Sequence, residues 1–416
     1  MSFSTQNILE FVSDPKGINL TADVNSKIFE KVFFKDSMLK FYPYAEVYLR
    51  DTAGIIISNY FFIEGMKFDT KLGSPEVSVD NKTVGGYLTH TYAWSEDQIL
   101  RTRRDSEYLS GTNCFILLSN TYFQDYVNPI AYQDQPSSIA KNIASDSFNI
   151  IDSDKLFIEE TANDVKNIWY QGNRFGRDFL EQTLVRNAYS AVSSNADKTA
   201  FVSFINCNGE FYFCSYDYLY RQTPVATFEA KVTLDKLTDT SAIQEISFIC
   251  GGAPVNRKLY NQSIYKIEDD GTIASEDILL ADKYLSTNNG IGSYPVNKNN
   301  ASSYKRIFDA GIIETYDAKK LTARESFDYQ DSSISNRIEI VIIFNPLCIS
   351  GKTVELKIKN ATDNDNYSSE LSGVWLIIES EHMLAQNDVI YSHLVLAKPS
   401  ITFSNKFNYS DLVISN

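Results

Sequence analysis

Three histidines, at positions 90, 382 and 393, are the residues of this sequence best suited to hold a metal or shuttle a proton. His382 and His393 sit in "SGVWLIIESEHMLAQNDVIYSHLVLAKPSI", residues 372–401, which reads as two strands joined by the polar loop "HMLAQND". A metal pair on strands needs i, i+2 spacing or close approach across the hairpin, with carboxylates converging. Glu381 and Asp388 are near, but a third ligand at usable spacing is missing, so both histidines are expected to be solvated or at a core edge. His90, in "LTHTYAW", has no Ser or Cys partner at the spacing of a nucleophilic triad. The carboxylate pairs Glu159–Glu160 and Asp269–Asp270 would serve glycoside chemistry only if the fold joined distant members. Adjacent acids on a strand point to opposite faces, and these are expected to be solvated. "GGYLTH" and "GTNCF" lack the pattern of a phosphate-cradling loop. The one basic cluster, "RTRRD" at 101–105, suits salt bridges within the chain or to a partner better than DNA. The residues therefore imply no catalytic, cofactor-binding or metal-binding site, and no enzyme.

Bulk composition points the same way. Five cysteines (114, 207, 214, 250, 348) are scattered and make no CxxC pair, which suits buried thiols in a reducing compartment. Asp and Glu outnumber Lys and Arg by 53 to 38, a net charge of −15, which argues against a general nucleic-acid binder. An acidic channel would still let DNA pass by repelling its phosphates. "MSFSTQNILEFVSDPKG" lacks the basic start and apolar run of a signal peptide. No run approaches 18 apolar residues, so no membrane span is expected, and the chain should be made and remain soluble in a cytoplasm.

The elements that would position these side chains are mostly strands. Twenty-six Tyr and 26 Phe favour pleated surfaces. In "AEVYLR", Ala45, Val47 and Leu49 share one face; "GIIISNYFFIEG" reads as a buried strand or as a short helix followed by a strand, and "NCFILLSNTYF" as a buried strand. Pro136 opens a short helix in "PSSIAKNIASDSF", and Phe179, Leu180, Leu184, Val185 and Ala188 form the apolar stripe of a second in "GRDFLEQTLVRNAYSAV". Asn208-Gly209 marks a tight hairpin in "TAFVSFINCNGEFYFCSYDYL". "ATFEAKVTL" alternates, with "QEISFI" expected as its partner, while residues 256–334 are Asn- and Ser-rich with weak periodicity. "NRIEIVIIF" and "KTVELKIKN" restore the strand signal. The latter, with strands lined by Val374, Leu376, Ile378 and by Ile390, Leu394, Leu396, makes an antiparallel meander that the 226–250 strands could close into a small barrel.

The order of these segments resembles the baseplate hub proteins of contractile phage tails and related injection machines. In that family a strand and a long loop precede a Ser-Gly-aromatic strand that ends near a His; a turn and a Tyr-containing strand follow, closing on a basic residue. Ser372, Gly373, Trp375, His382, Tyr391 and Lys398 occupy those places, and Pro399 departs from the usual acidic residue. Leu184, Arg186 and Ala188 are similar to the family's "L-x-R-x-A" helix, and the strand from Gly209 through Phe211, Phe213 and Ser215 to its "G-F-x-F-x-S" strand. The resemblance holds from about 136 to 250 and 336 to 401, is thin in the first 130 residues and is absent in 256–334.

It implies a mainly β chain with two small tube-type antiparallel β-barrels and α+β insertions. The first barrel would lie in 1–135, an α+β insertion in 136–225, and the second barrel in 226–255 plus 336–402. A loop-rich subdomain would span 256–335, and a C-terminal tail 403–416. It also implies a homotrimer in a virion, assembled in the host cytoplasm. Its partners would be a tail tube protein, a central spike protein and other baseplate proteins, with genomic DNA passing unbound. From another class, a carbohydrate-binding β-sandwich would also use the aromatics and Asn-rich loops, but lacks its export signal.

Overall fold

The computed structural model describes residues 8–13, 18–23, 29–51, 65–79, 82–94, 101–104, 111–163, 168–192, 200–230, 241–250, 261–267, 273–279, 306–307, 334, 336–359, 367, 371–384 and 390–398. Most of "GIIISNYFFIEG", the end of "ATFEAKVTL", Asp269 and Asp270, the 385–389 loop and Pro399 lie outside the described residues.

The chain is mainly β. Strands β1 (Ile8–Ser13), β2 (Ile18–Asp23), β3 (Phe29–Ser37), β4 (Tyr44–Asp51), β5 (Lys67–Val79), β6 (Lys82–Trp94), β7 (Arg101–Arg104) and β8 (Gly111–Ser119) form a curled antiparallel array. Its order is β3-β4-β8-β6-β5-β1-β2, with β7 also on β8. The alternation read in "AEVYLR" holds: Ala45, Val47 and Leu49 are buried with Val32, Phe34, Phe68, Leu72 and Leu88. Gly73 shows how closely the β5–β6 hairpin packs. Its φ is +144°, and a Cβ there would lie 2.1 Å from the Gly86 carbonyl oxygen, so only glycine fits.

A second group, β14 (Ala226–Ala230), β15 (Ile243–Cys250), β19 (Asn336–Ile343), β20 (Thr353–Ile358), β21 (Gly373–Leu384) and β22 (Ile390–Lys398), returns on itself in the order β14-β20-β21-β22-β19-β15. The Glu229 amide donates to the Ser241 carbonyl at 2.9 Å, and Glu229 bridges Ala242, which brings β15 back to β14. Period-2 patterning fills the interior: Ile338, Ile340, Ile342, Val354, Leu356, Leu394 and Leu396 all point inward with Trp375 and Ile377. The meander β20–β21–β22 is antiparallel as expected. Two expectations are corrected here. The partner of "QEISFI" is β19, while β14 runs parallel to β20, Ala226 opposite Val354. Alternation marks a strand and its faces but carries no record of which backbone edge meets which. Val374 is 38% exposed, whereas Trp375, Leu376, Ile377 and Ile378 are all buried, because β21 is covered on both faces there.

Strand β21 joins the two groups into one sheet. Its Glu379–Leu384 half pairs antiparallel with Ser37–Val32 of β3. A bulge between Ile377 and Glu379 inserts an unpaired residue, Ile378, whose carbonyl accepts from the Met38 amide at 2.8 Å. Bulges re-aim a strand. Here Trp375 and Ile377 face the second interior, and Leu384 beyond the bulge faces the first.

Between the groups lies an α+β unit. Strands β10 (Leu156–Ile158), β12 (Phe201–Ile205) and β13 (Phe211–Ser215) form a sheet in the order β10-β13-β12, and β9 (Ala131–Tyr132) pairs with β11 (Trp169–Tyr170). The Pro136–Asp146 helix starts at its proline as expected and buries Ile139, Ala140, Ile143 and Ala144. The second helix is broken into Gly176–Phe179, a π-helical turn Leu180–Leu184 and Val185–Asn187, where Ala188 turns extended. Phe179, Leu180, Leu184 and Ala188 still share one core with Phe41, Phe148, Trp169, Phe201, Phe211 and Phe213. Within 256–334, expected to be loop-rich, β16 (Asn261–Ile267), β17 (Ile273–Leu279) and β18 (Arg306–Ile307) form a separate sheet. No helix among the described residues is long and apolar enough to cross a membrane.

Candidate functional site

The three regions meet at one buried carboxylate. Val32, Phe34 and Asp36 share the inward parity of β3, so Asp36 is carried into the interior by the alternation that buries its neighbours. The β12–β13 hairpin supplies the first partner. Its loop is wider than the two-residue Asn-Gly turn expected: the Asn206 amide donates to Glu210 O at 3.1 Å, leaving Cys207, Asn208 and Gly209 at the tip, with Gly209 at φ +70°. A three-residue hairpin loop needs a left-handed residue at its end, and glycine supplies it. Asn206 Oδ1 accepts from the Asn208 and Glu210 amides, which fixes the loop and aims the Cys207 amide at Asp36 Oδ2, 2.8 Å away. Oδ1 accepts from the Ser350 amide at 3.2 Å and lies 2.5 Å from Ser380 Oγ.

Each partner comes from a different part of the chain: the hairpin, the turn before β20, and β21. Burial raises the Asp36 carboxyl above its ordinary range, against hydrogen bonds from Ser380, the Cys207 and Ser350 amides and the Cys207 side chain that lower it. Ser380 Oγ is also 3.4 Å from His382 Nε2, and His382 Nδ1 is 2.8 Å from Ser392 Oγ. His382 has no exposed surface, and burial lowers it to about 3. The Tyr92 hydroxyl donates to Cys207 Sγ at 3.6 Å, and burial raises both groups.

Packing holds the joint from the side. Phe157, Tyr212 and Phe204 stack in parallel at 4.6 and 4.7 Å. Lys352 Nζ lies 4.2 Å from the Phe157 ring and bonds Glu210 Oε2 at 2.9 Å. Gly351, at φ +87°, faces Phe204 so closely that a Cβ would sit 2.6 Å from Cζ. A second carboxylate, Asp125, ties the first array to the α+β unit: it accepts from the Gly176 and Arg177 amides at 2.7 and 3.1 Å and from the Tyr42 hydroxyl at 3.0 Å.

The residues singled out in the sequence are dispersed. His382 lies inside β21 and not at a loop start; His393, on the surface, is 3.5 Å from Glu339 Oε2. His90 Nε2 bonds Ser119 Oγ at 2.8 Å, at the floor of an open groove of about 720 Å³ that Lys71, Asn149 and Lys155 also line. Glu159 is not solvated as expected. It is buried, accepting from the Ser215 amide at 2.7 Å and from Ser190 Oγ, while Glu160 on the opposite face is exposed. Cys207, Cys214 and Cys348 are free and buried. Among the described residues no group of three or more His, Cys, Asp or Glu is arranged to hold a metal. Four of the family-like residues cluster: Lys398 Nζ donates to Ser372 O at 3.0 Å and lies 5.5 Å from the Trp375 ring, beside Gly373. Asp36 was missed, although its parity with Val32 and Phe34 was a signal for a buried acid.

The sequence matches no known family profile and no curated relative. Solved structures resemble the fold over nearly the whole chain. A tail protein from Neisseria meningitidis MC58 is 10% identical with a TM-score of 0.50, covering 94% of this chain and 96% of its own. The 43 kDa tail protein of prophage MuSo2 from Shewanella oneidensis is 11% identical with a TM-score of 0.51, covering 95% and 97%. The fold is thus that of phage tail proteins, in line with the baseplate hub resemblance.

Proposed function

We propose that this chain is a baseplate hub protein: a structural, non-enzymatic component of a phage tail or related injection machine. The observation that carries the reading is likeness of fold to two tail proteins over 94% and 95% of the chain. Three chains assemble into a ring whose six barrels match the six-fold tail tube above and receive the three-fold spike below, a duplication that reconciles the two symmetries. Residues 1–135 and 226–255 plus 336–402 supply the two barrels. Residues 136–225 and 256–335 are insertions, and 403–416 form a tail. Part of the acidic excess, net charge −15, faces the channel so that DNA passes without phosphate contacts that would hold it.

Light scattering on the purified chain, followed by negative-stain imaging of the rings, tests the assignment. A three-fold ring with an acidic lumen is the expected result. A chain that stays monomeric at assembly concentrations argues against the hub, and a basic lumen removes only the channel idea.

A further inference from the structure

The groove above His90 lies where the first array meets the α+β unit. The β5–β6 hairpin makes its floor, and the short helix Asn120–Gln124 and residues 148–152 make its walls. Its volume of about 720 Å³ is in the range of ligand sites. Three side-chain amides line it, those of Asn120, Gln124 and Asn149, and none makes a hydrogen bond to another described residue. Asn120 and Gln124 are four residues apart, on one face of their helix. Asn149 is the one non-glycine residue with positive φ among the described residues, at +54°. That backbone is costly for most side chains, and here it places Asn149 in the groove wall. His90 Nε2 is taken by Ser119, while Nδ1 has no hydrogen-bond partner among the described residues.

Charge does not select an occupant. Lys71 and Lys155 are matched by Asp69 and Asp152, and all four are already engaged. Asp69 accepts from the Thr91 hydroxyl at 2.7 Å and Asp152 from the Asp154 amide at 3.1 Å. Lys155 donates to the Asn208 carbonyl at 3.2 Å, and Lys71 lies 4.1 Å from the Tyr87 ring. A polyanion therefore finds no net charge to hold it. A sugar finds no open ring face either, since Phe148, the one phenyl ring in the lining, is 1% exposed. Hydrogen bonding of one kind is left. A side-chain amide offers a carbonyl acceptor beside an N–H donor, the same pair that each peptide unit of an extended chain presents. Ile151, 74% exposed at the same wall, adds an apolar contact for that chain's side chains.

We propose that this groove binds an extended, uncharged segment of another polypeptide through the side-chain amides of Asn120, Gln124 and Asn149, with Ile151 covered on binding. Selection of random ten-residue peptides on the purified full chain tests it. Enriched peptides should lack charged residues, and adding one to the isotope-labelled chain should shift the side-chain NH2 signals of these three residues in NMR spectra. Gln124→Ala and Asn149→Gly should each weaken the Kd about five-fold, the loss of about one hydrogen bond; glycine keeps the left-handed backbone accessible at 149. Ile151→Ser should also weaken binding, whereas Val192→Ser, 67% exposed outside the groove, should not. Three results overturn the proposal: no enriched peptide, equal binding to wild type and to the Gln124 and Asn149 variants, or equal losses in Ile151→Ser and Val192→Ser. Shifts of the same signals by maltohexaose and by no selected peptide overturn it as well, in favour of a carbohydrate site. Ring formation is measured separately, so an empty groove leaves the hub assignment standing.

Discussion

Strand β21 lends one end to the interior of the second barrel and the other to the joint at Asp36, and the two interiors are built from different materials. Around Trp375 and Ile377 the neighbours are Ile338, Ile340, Ile342, Leu394 and Leu396. Past the bulge the strand instead presents Ser380, which meets Asp36, and His382, which meets Ser392, while Asp36 accepts from the Cys207 amide. An aliphatic interior gains stability in proportion to apolar area and tolerates hydrophobic exchange of similar volume. A buried polar network contributes modestly when complete and becomes costly when one member is lost. The barrel is thus suited to stability, and the joint to fixing how three regions of the chain meet.

The largest expected effect breaks the apolar side of this comparison. Trp375→Ala removes the largest side chain of the second interior and should cost about 3–5 kcal/mol in urea unfolding, with the transition remaining a single step. Asp36→Ala leaves two buried amides and a hydroxyl without an acceptor and should cost about 2–4 kcal/mol. Its signature should be a broadened or split transition, because the regions lose their common anchor; a sharp single transition would count against the joint as the coupling element.

Smaller effects sharpen the contrast. Glu159→Gln, within the α+β unit, should cost about 1–2 kcal/mol through the Ser215 and Ser190 bonds, read from its melting midpoint. Val374→Thr should stay within about 0.5 kcal/mol, whereas Ile377→Thr, three residues along the same strand, should be clearly destabilising; equal effects would refute the assigned faces. Acid provides a separate check. His382 is lowered to about 3 by burial, so its contribution is present above its ordinary value and is lost as pH falls through the window down to about 3. A His382→Asn variant should show a weaker loss of stability in acid than wild type.

Much of the fold was legible because alternation survives in the strands that face a single core. Val354, Leu356 and Ile358 in β20, and Ala45, Val47 and Leu49 in β4, are buried as their spacing implies. Legibility failed where one strand serves two interiors: the bulge in β21 and cover on both faces hide the exposure of Val374. It also failed for pairing, since β14 lies parallel to β20 through backbone edges that leave no mark on side-chain order. The candidate chemistry read in the sequence that falls among the described residues, three histidines and the Glu159–Glu160 pair, is dispersed there. The acid that matters to the joint, Asp36, shows only its inward parity in "FFKDS"; its partners come from residues 207, 350 and 380.

The sequence by itself determined the strand-rich class, the inward faces of most barrel strands and the helix start at Pro136, because each follows from local periodicity or from a backbone restriction within a few residues. Tertiary structure alone decided the β3–β21 seam, the return of β15 to β14, the partners of Asp36 and the burial of Glu159. These depend on contacts between segments far apart in the chain, where hydrogen-bond geometry and exclusion of water, and not local pattern, select the partner.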